Sequence, residues 1–67
     1  MKYDYEMYGA VCNVLEEISQ EEFDRFEHLV MTVWDISECE ELVRFCEVHH
    51  LTIAMLEMYA YIEGMSE

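Results

Sequence analysis

At 67 residues the chain has room for one small domain, and its 16 Asp and Glu against three Lys and Arg give a formal net charge of −13. With 54% apolar residues it can still build a core, so it is not the polar, aromatic-poor composition of a disordered acidic tail. That charge argues against direct nucleic-acid binding, where phosphate attraction supplies most of the affinity, and against docking on anionic membranes.

In chain order, Asp4 offers a cap for a first helix over about 4–18, with Glu6 in its first turn. Tyr8, Val11, Leu15 and Ile18 recur there at helical spacing, and Cys12 and Val14 widen the apolar face. Ser19-Gln20-Glu21-Glu22 is a capping box that starts a second helix over about 20–34. Phe23, Phe26, Val30 and Val33 form its seam, with Leu29 beside them. Ser37-Glu38-Cys39-Glu40 repeats the box and predicts a third helix over about 38–48, with Leu42, Val43 and Cys46 inward and Glu40, Arg44 and Glu47 outward.

His49-His50-Leu51 reads as a break before Thr52, the N-cap of a fourth helix over about 52–62, with Gly64 as its stop. No stretch alternates with period two for long enough to make a strand. The expectation is a single all-α domain over 1–67, a compact bundle of four short helices, or of three if the break near His50 is only a kink. The short third connection suits a helix-turn-helix-like pair. No Lys or Arg follows Arg44, however, so phosphate would repel such a recognition helix.

The basic residues have local partners by spacing: Arg25 follows Glu21 by four and Glu22 by three, and Arg44 follows Glu40 by four. The remaining acids gather at Glu16, Glu17, Glu21, Glu22, Asp24 and Glu27, and again at Asp35, Glu38, Glu40 and Glu41. Acids at helix starts are ordinary capping and dipole residues. Glu16 and Glu17 are not, because the predicted last turn of the first helix disfavours anions. Glu16, Glu17, Glu21, Asp24, Glu27, Asp35, Glu38 and Glu41 are therefore the candidate contacts to a basic partner.

The fourth helix is apolar all round between Thr52 and Ile62 except for Glu57. Three short helices are hardly enough to enclose it, so Met55, Met58, Tyr59, Tyr61 and Ile62 are candidates for self-association or another apolar contact, with Tyr3, Tyr5, Met7 and Tyr8 adding to them. A homodimer is the commonest closure for such a surplus. A tightly wrapped monomer is the alternative.

Three cysteines make no disulfide framework. Cys39 and Cys46 stand about 10.5 Å apart along a helix, too far to share one zinc or a disulfide. Cys46 with His49 or His50 is at most half a metal site, so no metal or other cofactor is expected. His28, four residues after Asp24, reads as one end of a solvated ion pair. The sequence holds no nucleophile elbow, phosphate-binding glycine loop or EF-hand pattern, and the chain offers little room for a catalytic cleft.

No signal peptide or long apolar span is evident, so the expected location is the cytoplasm, the host's if the chain is phage-encoded. In size, charge and single-domain character it resembles the DNA-mimic proteins that phages and mobile elements use against host restriction, CRISPR or repair enzymes. That resemblance implies an inhibitor, not an enzyme, that occupies the basic groove of a nucleic-acid-binding protein. The other expectation is an acidic homodimeric adaptor that binds a basic or hydrophobic protein segment. Its mark would be one hydrophobic groove with acids around the rim.

Overall fold

The computed structural model describes residues 4–65, which form four α-helices and one 3-10 turn: α1 (Tyr5–Leu15), α2 (Gln20–Thr32), the turn Ile36–Glu38, α3 (Glu40–His49) and α4 (Ile53–Met65). The all-α bundle expected from the sequence is what forms. Tyr3 lies outside the described residues. Among the described residues no helix is long and apolar enough to cross a membrane.

Helix starts follow local chemistry. The Asp4 carboxylate accepts from the backbone N–H groups of Glu6 at 3.1 Å and Met7 at 3.2 Å. Ser19 Oγ accepts from the Glu22 N–H at 3.1 Å, and its hydroxyl points back to the Glu22 carboxylate at 3.4 Å. The reciprocal bond of the capping box thus goes to the hydroxyl. Thr52 Oγ1 accepts from the Met55 N–H at 3.2 Å, so α4 starts where expected.

The second capping box does not form. Asp35 Oδ1 takes both the N–H of Ser37 at 3.0 Å and its hydroxyl at 2.7 Å. An aspartate that reaches two residues on in this way offers the chain a turn in place of a helix start. Residues 36–38 wind into the 3-10 turn, Ile36 enters the core, and α3 starts after Cys39 with no side-chain cap.

Helix ends also differ from expectation. α1 stops at Leu15, with Glu16 as its C-cap, so Glu16 and Glu17 lie just past the last turn. α2 stops at Thr32 because Val33 is already extended, with ψ 145°. α4 runs through Gly64, which has no positive φ. The break near His50 is a full helix end: His50 takes the left-handed conformation at φ 60°, ψ 40°, and Leu51 N–H donates to the Cys46 carbonyl at 2.9 Å. A side chain with a Cβ is held there against steric cost. His50→Gly is expected to raise stability by about 1 kcal/mol, measured as an upward shift of the urea midpoint.

Val11, Phe26, Val30, Ile36, Leu42, Cys46, Leu56 and Tyr59 make the core. Every α-helix contributes to it, and the broadest helix contact is between α1 and α4. Phe26 lies at its centre, tilted against Phe45 at 4.8 Å and against Tyr59 at 5.5 Å between ring centroids. α4 is enclosed more completely than its composition suggested, because α1, α2 and the 3-10 turn each cover part of it. Leu56 and Tyr59 are buried, Met55, Met58 and Ile62 are half-buried, and Ala54, Glu57, Tyr61 and Gly64, spaced by three, four and three, form an exposed strip.

Candidate functional site

Thirteen of the fifteen carboxylates in residues 4–65 are exposed; Glu27 and Glu63 are half-buried. Two arginines oppose them, so these residues carry the same net charge of −13 as the whole chain. The candidate acids do not line a single depression. Four surface depressions divide most of them: Glu21 and Glu41 border one, Glu16 and Glu27 a second, Asp35 a third and Glu38 a fourth. Glu17 and Asp24 are exposed elsewhere. Asp24 accepts from the Gln20 side-chain amide at 2.9 Å, in place of the expected pair with His28.

The depression between α2 and α3 has a volume of about 340 Å³. Phe26, Leu29, Leu42 and Phe45 form its apolar floor, and Glu21, Glu22, Arg25 and Glu41 form its rim. Helical spacing puts Glu22, Phe26 and Leu29 on one side of α2, and Glu41, Leu42 and Phe45 along the facing turns of α3. Arg25 bridges the rim: its Nε and Nη2 donate to the two Glu41 carboxylate oxygens at 3.0 and 2.9 Å. Spacing along α2 had suggested Glu21 or Glu22 as its partner. The two-pronged match to a carboxylate across the groove prevails over a single contact along the helix. The hydrogen bond from Arg25 holds the Glu41 carboxyl below its usual range. Between described residues this is the only ion pair, and being exposed it does more to fix helix register than to add stability.

The second depression, between α1, α2 and α4, is lined by Tyr8, Cys12, Glu16, Glu27, Tyr59 and Glu63. Here the structure corrects two sequence expectations. Tyr59 is 3% exposed and unavailable to a partner, and its hydroxyl donates to Glu27. Glu27 is thereby a fold-supporting acceptor rather than a free surface acid. Tyr8 donates in the same way to Glu63, and the two rings stack at 5.5 Å.

The hydrogen bond to Glu63, then burial, pushes the Tyr8 hydroxyl pKa up, and burial, then the bond to Glu27, does the same for Tyr59. A phenol whose folded pKa is raised stabilises the fold fully below its unfolded value near 10 and loses that contribution as pH rises beyond it. Alkaline unfolding is therefore expected to set in above pH 10, with Tyr59 adding a slope of at most about 1.4 kcal/mol per pH unit. Tyr59→Phe should flatten the slope in urea titrations repeated from pH 9 to 11.

Of the other apolar candidates, Tyr61 is exposed, Tyr5 is 64% exposed, and Met7 and Tyr8 are half-buried. The largest exposed ring is Trp34, at 101%, which the helical reading of 20–34 passed over. A signal was present: Trp34 lies between Val33 and Asp35, where the α2 seam ends, and a tryptophan past a seam has no helix face to bury it.

Cys12, Cys39 and Cys46 are free thiols, and burial pushes the Cys46 thiol pKa up. No group of three or more His, Cys, Asp or Glu among the described residues is placed to hold a metal ion. Compared with known proteins, the chain matches no family model, no curated protein and no solved structure.

Proposed function

We propose that this chain is a non-enzymatic acidic protein that binds a nucleic-acid-binding protein and inhibits it by imitating the charge of nucleic acid. The observation that carries this reading is the scarcity of neutralisation: thirteen exposed carboxylates surround the domain, with one ion pair between described residues. The longest dimension is 29 Å, so −13 amounts to one net charge per about 2.2 Å, against one per about 1.7 Å in duplex DNA. Self-repulsion of this size opposes folding, and a role at a basic surface gives the chain a use for it.

A second reading rests on the α2–α3 groove. An apolar floor with Glu21, Glu22 and Glu41 on its rim suits an adaptor that seats a hydrophobic side chain from a basic protein segment. Both readings share a basic partner. They differ in whether a nucleic acid competes for it.

The test is capture of proteins from a bacterial lysate at low ionic strength, followed by competition. The captured protein is expected to bind duplex DNA or RNA and to release it when this chain is added. A captured partner that keeps its nucleic acid while bound would favour the adaptor. A partner without basic character would reject both.

A further inference from the structure

We infer that the depression between the end of α2 and the exposed strip of α4 is a socket for an arginine side chain of the partner protein. The inference rests on the proposal of a basic partner and names the chemistry of one contact. Val33, Trp34, Asp35, Glu57, Ala60 and Tyr61 line this depression, which has a volume of about 360 Å³.

Trp34 is wholly exposed and Tyr61 36% exposed, so two aromatic rings stand at the edge of one hollow. Two carboxylates share that hollow. Asp35 uses Oδ1 for the Ser37 turn, its Oδ2 accepts no hydrogen bond from the described residues, and Glu57 projects from the exposed strip of α4. A planar guanidinium is the group these features fit together: it stacks on an indole face and presents a fork of donors to carboxylates.

The other occupants of an exposed tryptophan fit less well. A second copy would bring −13 onto −13 and set Asp35 and Glu57 against a surface of the same sign. A nucleobase could stack on Trp34, but its phosphates would meet the same carboxylates, and anionic headgroups would be repelled likewise. Burying a previously exposed aromatic ring at the centre of a contact is also how few residues come to dominate an interface.

The sole tryptophan of the chain makes the test direct. Fluorescein-labelled hexaarginine and hexalysine peptides are titrated with the protein by anisotropy at low ionic strength, and Trp34 emission is followed with unlabelled peptides. Hexaarginine is expected to bind about 5- to 10-fold tighter than hexalysine and to alter Trp34 emission. Trp34→Ala should remove that preference, Trp34→Phe should keep part of it, and Glu57→Gln should weaken hexaarginine about 3-fold. Circular dichroism should be unchanged, since both side chains are exposed.

Equal binding of the two peptides, with Trp34 emission unmoved, would overturn the socket and leave the acidic-surface reading standing. Failure of both peptides to bind at low ionic strength would overturn both readings. A concentration-dependent emission shift without peptide would show Trp34 in contact with a second copy and reject the socket.

Discussion

Tyr59→Asp is expected to leave the chain largely unfolded at room temperature. Tyr59 is 3% exposed, its ring lies 5.5 Å from those of both Tyr8 and Phe26, and its hydroxyl donates to Glu27. Removing a buried aromatic ring costs about 3–5 kcal/mol by itself. An aspartate in that space adds a second carboxylate beside Glu27, and a buried unpaired charge costs several kcal/mol more. The whole stability of a domain this size is roughly 3–10 kcal/mol, so the loss is comparable with the total.

Tyr59→Phe keeps the ring and removes only the hydroxyl, for an expected loss of about 1–2 kcal/mol. Urea titration followed by far-ultraviolet circular dichroism separates the two. A Tyr59→Asp variant with the wild-type midpoint would mean that the ring is at the surface. Because this variant should not fold, a lost dimer in it would be uninformative. Self-association through α4 is tested instead at exposed Tyr61, with sedimentation of Tyr61→Asp against the parent.

The fold was legible where one local interaction decides the backbone. Asp4, Ser19 and Thr52 each cap the helix that their spacing announced. Ser37 had equal credentials and failed, because Asp35 two residues earlier competed for the same hydroxyl and N–H. A motif read alone omits its competitors. Helix ends were less legible than starts: a glycine permits a stop without imposing one, so α4 continues through Gly64, while α3 ends on His50, which pays for the left-handed turn in strain.

The candidate surfaces were least legible, since they depend on which helices are neighbours. Apolar residues all round α4 implied a surplus, yet three different elements each cover a side of it. Trp34 shows the converse, a large apolar residue that no neighbour covers. Glu27 and Glu63 resembled every other acid in the sequence, and only the positions of Tyr59 and Tyr8 set them apart. Arg25 likewise has carboxylates three and four residues away and pairs with one sixteen residues away, because packing α2 on α3 creates the better geometry.

Reversing Glu16, Glu17 and Asp24 to lysine is expected to weaken binding to the basic partner while making the fold more stable. Each reversal adds two charge units, so the three move the net charge from −13 to −7. All three side chains are exposed, and the one structural contact among them is the Gln20–Asp24 hydrogen bond, an exposed pair worth about 0.2–0.5 kcal/mol. Against that small loss stand two gains. Self-repulsion falls, and a lysine at position 16 meets the negative end of the α1 dipole, where the native glutamate is unfavourable. The expected sum is a urea midpoint above that of the parent.

Affinity should move the other way, falling by at least about 10-fold at low ionic strength, within the range by which steering fields raise association. The parent complex should itself weaken by at least about 10-fold as salt rises from about 0.05 to 0.5 M, because screening shortens the reach of the field to a few ångströms. The triple variant should show a flatter salt dependence. Opposite signs for stability and binding cannot arise from unfolding, which would lower both. If the variant bound undiminished with the parent's salt slope, these three acids would lie outside the contact and the α2–α3 groove would be the surface to test next.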